Sequence, residues 1–126
     1  MTSLLGRWKL IDARSFDEAG NELEPPLGQN PIGVILYEAD RMIVAVGNGS
    51  RNVSREASQR AFASYTGSYT FDGELLVVRV DGASSPAFSV DQVRRIRFEG
   101  PNRYVALPLM PEGQSSGLKL TWERIN

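Results

Sequence analysis

An arginine set among apolar side chains is the first residue of this sequence whose chemistry demands an account. The run Gln92-Val93-Arg94-Arg95-Ile96-Arg97-Phe98 reads as a strand, and if Ile96 and Phe98 face a core, Gln92 and Arg94 face it with them. A guanidinium inside a protein cannot shed its charge cheaply, so it must be paired or hydrogen-bonded. Two roles fit Arg94: it holds a ligand carboxylate, enolate or carbonyl, or it satisfies Asp12 or a tyrosine within a structural network. Asp12 shares strand parity with Trp8, so a buried Trp8 would carry this carboxylate toward the interior, where it would suit acid–base work. Its structural alternative is an ion pair with Arg14 or Arg124. Tyr65 and Tyr69 can donate to a ligand oxygen or pack with the hydroxyl at a core edge, and Gln92 is a similar polar handle. An enzyme built on this set would use Asp12, Arg94 and Tyr69. A binding protein would use Arg94, Gln92, Tyr65, Tyr69 and Asp12 against apolar walls of Phe71, Phe98 and Trp122, side chains that core packing alone would also explain.

Absences narrow the chemistry further. The 126 residues include no cysteine and no histidine, so disulfides, thiolate metal sites, imidazole bases, histidine–zinc sites and histidine-ligated haem are excluded. No metal and no cofactor is expected. Phosphate loops, paired glycosidase carboxylates and Ser–His nucleophile motifs are also missing. The formal charge of −1, from 14 basic and 15 acidic residues, provides no field to attract nucleic acid or an anionic membrane. Arg94 falls on the opposite strand face from Arg95 and Arg97, and Arg51, Arg55 and Arg60 are scattered, so no basic surface for nucleic acid is expected. No apolar run approaches the roughly 20 residues that span a bilayer, and no basic-then-apolar leader precedes Leu4, so the expected location is the cytoplasm. Asn48-Gly49-Ser50 and Asn52-Val53-Ser54 read as loop polarity. The partner that this charge balance suits is small or neutral.

These side chains need elements to hold them. The apolar runs are short, rich in Val, Ile, Tyr and Phe, and spaced by turn residues, the pattern of an all-β sandwich or barrel. Eight strands are expected: 6–15, 33–38, 41–46, 65–71, 74–81, 92–99, 103–107 and 117–125. Asp72-Gly73 suits a two-residue hairpin, and Glu38-Ala39-Asp40 and Gly100-Pro101-Asn102 suit further tight connections, so consecutive strands should pair antiparallel in a meander. Two long connections, 16–32 and 47–64, could cover an opening, and the second is compatible with a helix over 54–62. Shorter loops span 82–91 and 108–116. A chain of this length is expected to form one domain, 1–126, with a real core.

Alternation sorts the strands into faces. Trp8, Leu10, Asp12 and Arg14 share one side of the first strand. Leu118, Leu120, Trp122 and Arg124 oppose Lys119, Thr121 and Glu123 in the last, which turns Lys119 outward and, with Lys9 also outward, argues against Schiff-base chemistry. In the fourth strand Tyr65, Tyr69 and Phe71 line the interior with a gap at Gly67. The fifth strand, 75–80, is apolar on both faces and its phase is undecided.

Gly6-Arg7-Trp8 resembles the Gly-x-Trp signature that opens lipocalins, and Thr121-Trp122-Glu123-Arg124 resembles their last strand, where an arginine crosses that tryptophan. More closely, the chain resembles the small bacterial and fungal lipocalin-like domain family. The matching stretches are 4–10, Gly33 to Tyr37 with Arg41-Met42, Tyr65 to Thr70 before Asp72-Gly73, Gln92 to Arg95, and Leu120 to Arg124. The resemblance implies a calycin-type, eight-stranded, antiparallel, up-and-down β-barrel, closed at one end by the N-terminal segment and Trp8 and open at the other, with a short helix before the fourth strand. Such barrels either fill their interior or hold one small ligand. Many relatives of this kind carry histidines in the fifth strand where Val78 and Arg79 stand here, so a histidine-dependent activity does not carry over. The function implied is binding of a hydrophobic small molecule, as a carrier or sensor. The alternatives are a cofactor-independent isomerase, cyclase or lyase of secondary metabolism using the same cavity, and a filled barrel acting as an interaction module. A homodimer would have to use a barrel face or the loops.

Overall fold

A computed structural model describes residues 2–50, 52–108 and 117–125. Among them eight strands pair antiparallel in chain order, and the eighth returns to the first to close the barrel. They are β1 (Gly6–Ser15), β2 (Pro31–Tyr37), β3 (Arg41–Asn48), β4 (Ala63–Phe71), β5 (Leu75–Ala83), β6 (Gln92–Phe98), β7 (Arg103–Pro108) and β8 (Leu118–Ile125). Helix α1 (Arg55–Ala61) precedes β4, and a single 3-10 turn, Pro86–Phe88, precedes β6. Ser54 caps α1 by accepting from the Ala57 amide at 3.1 Å, and the chain becomes extended at Phe62. No helix among the described residues is long and apolar enough to cross a membrane.

Short turns gather at one end and long connections at the other. The turn after β4 has three residues: Asp72 Oδ1 accepts from the amides of Glu74 and Leu75 at 2.9 and 2.7 Å, and Gly73 takes φ of +106°. The side-chain bond draws Glu74 into the turn, so β5 starts at Leu75 instead of Glu74. At the opposite end β2, β3, β4 and β5 run further than the apolar pattern suggests, through pairs such as Pro31↔Asn48, Val46↔Ala63 and Tyr65↔Ala83. Backbone pairing needs no apolar side chain, so these extensions carry no hydrophobic signal. The 108–116 loop lies, beyond Pro108, outside the described residues.

The closed end is organised by Trp8, which is fully buried. Its indole Nε1 donates to the Leu4 carbonyl at 2.8 Å, and the Arg124 guanidinium lies 4.2 Å from the ring centroid. The same guanidinium donates to the carbonyls of Leu5, Ser3 and Pro101 at 2.6, 2.9 and 3.3 Å, tying the N-terminal segment and the β6–β7 turn to the last strand. Gly6 has φ of +114°, and a Cβ there would stand 3.3 Å from Arg124 Nη1, so the residue before Arg7-Trp8 must both turn and leave room for the arginine. The Tyr104 ring meets Trp8 edge-on at 4.7 Å, and Phe98 and Phe71 extend this aromatic floor, the former 6.0 Å from Tyr104.

Two expectations about inward faces are corrected. In β1 the register with β8 shifts between Leu10↔Trp122 and Asp12↔Thr121, a β-bulge that spends one additional residue at Ile11. Trp8, Leu10 and Ala13 are therefore the buried set, while the Asp12 side chain is 41% exposed and its Oδ2 pairs with Arg14 Nε at 2.9 Å. Asp12 thus takes the structural alternative, and simple alternation from Trp8 fails because the bulge inverts the parity. In β4 the place beside Gly67 is no gap: a Cβ there would lie 2.2 Å from the Arg79 carbonyl oxygen, because β5 crosses close at a second bulge. The phase of β5 is settled with Leu76 and Val78 buried and Arg79 outward.

Two stability effects are expected. Gly67→Ala forces the β5 backbone away and should cost roughly 1–3 kcal/mol in urea unfolding. Arg124→Met should cost about 2 kcal/mol through the lost cation–π contact and carbonyl bonds, with a matching change in Trp8 fluorescence.

Candidate functional site

The barrel is not filled. A cavity of about 260 Å³ occupies the interior above the aromatic floor, walled by side chains that include Ile35, Val44, Leu76, Ile96 and Trp122. Its rim comes from the long-loop end: Leu27 from the β1–β2 connection, Phe62 at the end of α1, and Phe88 from the 3-10 turn. Phe62 is 52% exposed, and Phe88 stacks on Tyr65 with ring centroids 6.4 Å apart and an interplanar angle of 15°. Among the described residues the inner surface is largely apolar, with Arg94, Tyr37, Tyr65 and Tyr104 its main polar side chains. No carboxylate lines it among the described residues.

Arg94 is half-buried in this wall. Its Nη1 donates to the Val93 carbonyl at 3.0 Å and its Nη2 to Gln92 Oε1 at 2.9 Å, which uses two of the five guanidinium hydrogens. Gln92 is buried, and its amide nitrogen donates to the carbonyls of Val90 and Phe88 at 2.9 and 3.5 Å. Those bonds turn its oxygen toward the arginine, so the loop after β5 positions Gln92 and Gln92 positions Arg94. Among the described residues Arg94 has no carboxylate within ion-pair distance, in contrast to Arg14, Arg41, Arg79, Arg95 and Arg103. Among the described residues, the cavity's positive charge therefore meets neutral oxygens.

The three phenols sit within reach of this charge. Burial pushes Tyr65 above the usual phenol range, and the nearby Arg94 guanidinium offsets part of that rise. Tyr37 and Tyr104 are buried, their hydroxyl oxygens 2.9 Å apart, and desolvation raises both well beyond the usual range. All three stay protonated at any ordinary pH and serve as donors.

The residues expected from sequence divide three ways. Arg94, Tyr65 and Trp122 line the cavity, and Gln92 stands one step behind Arg94. Phe71 and Phe98 pack edge to face at 6.1 Å in the floor beneath. Asp12 and Tyr69 are not in the wall: Asp12 is on the outer surface with Arg14, and the Tyr69 hydroxyl donates to the Glu38 carbonyl at the closed end, its ring edge-on to Tyr37. Asp12, Arg94 and Tyr69 are accordingly not brought together. Tyr37 and Tyr104 were not among the expected site residues. Their parity with Ile35 and Ala106 carries the signal that each faces inward, but not that their hydroxyls meet.

The fold agrees with the comparisons to known proteins. A model of the lipocalin-like domain matches residues 5–125. No curated protein matches the chain. Among solved structures, a redesigned β-barrel superposes with a TM-score of 0.50 at 14% identity, over 98% of this chain and 92% of that one, a likeness of fold alone. A family match across nearly the whole chain, on a closed eight-stranded barrel whose first-strand tryptophan is crossed by an arginine of the last strand, means that this chain belongs to the lipocalin-like domain family.

Proposed function

We propose that this protein binds a hydrophobic small molecule in the barrel, as a carrier or sensor, and holds an anionic or carbonyl head of that molecule on Arg94. One observation carries the reading: a guanidinium opens into an apolar cavity where its partners among the described residues are neutral, the Val93 carbonyl, the Gln92 side chain and the nearby Tyr65 phenol. In such surroundings a charge-assisted hydrogen bond is stronger than at the surface, and the cost of partly burying the cation favours a ligand that brings an acceptor. The apolar wall supplies affinity without direction, and the arginine supplies orientation.

A second reading, a cofactor-independent isomerase, cyclase or lyase, is favoured by the same polar set, since the polar side chains in the wall among the described residues are hydrogen-bond donors. Arg94, Tyr65 and the spare hydrogen of the Tyr37–Tyr104 pair would polarise a substrate carbonyl while the wall folds the rest. With Asp12 outside, proton abstraction by that carboxylate drops out of the scheme, which narrows this reading to carbonyl polarisation and substrate positioning. For pairing between two copies, the half-exposed outer stripe of Ile32, Val34, Leu36 and Ile43 on β2 and β3 is the favoured surface. Sedimentation velocity on the wild type and on Val34→Glu reads this directly, and a wild-type monomer overturns it.

The ligand-binding reading is tested with 1-anilinonaphthalene-8-sulfonate, an apolar dye with one anionic group. The wild type should bind it with enhanced fluorescence, and Arg94→Met should weaken binding roughly tenfold or more. Asp12→Asn should leave the affinity within about twofold, because that side chain faces away from the cavity. A wild-type protein that binds no dye and shows no copurified apolar compound in native mass spectrometry overturns the reading.

A further inference from the structure

The hydroxyl pair at the inner end of the cavity has an unspent hydrogen. Tyr37 and Tyr104 are 2% and 1% exposed and line the cavity, and their oxygens are 2.9 Å apart. Two phenols carry two O–H hydrogens, and the contact between them consumes one. Whichever tyrosine donates, the other's hydrogen has no acceptor among the described residues. The rings cannot readily swing to find one. Tyr37 is held edge-on by Tyr69 at 5.3 Å, and Tyr104 by Trp8 at 4.7 Å and Phe98 at 6.0 Å.

Stability does not account for this arrangement. Replacing both members of a buried hydrogen-bonded pair by apolar groups of the same shape is often nearly neutral, whereas a buried donor without an acceptor is costly. Both residues line the cavity, so a ligand oxygen seated against the pair would accept the spare hydrogen. The location is distinct from Arg94: Tyr104 is the register partner of Phe98, and Arg94 lies two inward-facing positions further along β6, toward the open end. Arg94 and both phenols nonetheless line one cavity, so one small ligand can address the two places together.

We infer that the Tyr37–Tyr104 hydroxyl pair is a second binding subsite, at the inner end of the cavity, for a carbonyl oxygen. The ligand class is accordingly an oxo acid: an apolar body with its acid group toward Arg94 and a ketone or aldehyde oxygen against the phenols. This inference rests on the ligand-binding reading above and adds to it the second functional group.

A matched pair of probes tests it. 6-Acetyl-2-naphthoate carries both groups, and 6-isopropenyl-2-naphthoate replaces the ketone oxygen by CH2 with little change of shape. In isothermal titration calorimetry the wild type should prefer the ketone by roughly five- to tenfold. The Tyr37→Phe/Tyr104→Phe double variant should lose that preference while holding the alkene within about twofold, and Arg94→Met should weaken both acids alike. Equal binding of the two acids by the wild type, with both weakened in Arg94→Met, overturns the subsite and leaves the ligand-binding reading standing. Binding of neither acid by the wild type overturns both. The wild-type comparison decides the matter even where the double variant folds poorly.

Discussion

Closure of the barrel is the constraint on which every interior feature depends, and the Arg124–Trp8 contact fastens it. The guanidinium spans the β1–β8 seam, lies on the indole, and takes up carbonyls from the N-terminal segment and the β6–β7 turn. A cation–π contact from a partly exposed guanidinium is worth about 0.5–1 kcal/mol, and hydrogen bonds from a charged donor add to that. Because the seal uses backbone carbonyls as acceptors, it needs no acidic side chain at the closed end. The interior above it can then stay apolar.

Polar groups are distributed along the barrel axis by the same logic. At the closed end, phenols and carbonyls meet each other in pairs: Tyr37 with Tyr104, Tyr69 with the Glu38 carbonyl. Among the described residues carboxylates are kept out of the cavity wall, and Arg14, Arg41, Arg79, Arg95 and Arg103 pair with them outside. Exposed pairs of this kind contribute little to stability, but they do keep acidic groups on the surface. What remains inside, among the described residues, is a donor-rich cavity with the Arg94 cation, and a ligand oxygen is the acceptor that this chemistry suits.

The loops add the rim and also reach into the site. Gln92 opens β6 with its amide bonded to Phe88 and Val90, and its oxygen bonded to Arg94. Phe88, from the same loop, stacks on Tyr65. The segment that borders the mouth therefore also orients the cation and one phenol. A change in that loop would be felt at Arg94 without any direct contact between the substituted residue and the ligand.

Much of the fold was legible in the sequence. The eight apolar runs, the turn residues between them, the helix after Ser54 and the Trp8–Arg124 pairing all rest on local pattern or on short motifs, and period-two alternation placed Arg94, Gln92, Tyr65 and Trp122 correctly. Alternation failed where the backbone broke its own period. The bulge at Ile11 turned Asp12 outward, and the crossing of β5 beside Gly67 closed what read as a gap. It also could not bring distant hydroxyls together: Tyr37 and Tyr104 are 67 residues apart and meet only because β2 and β7 face each other across a closed barrel. The sequence by itself determined the strands, the seal and the chemical poverty of a chain without cysteine or histidine. The tertiary structure decided which carboxylate stays outside, that the interior is open, and which donors converge, because register shifts and cross-barrel distances are properties of paired strands and not of any one strand's pattern.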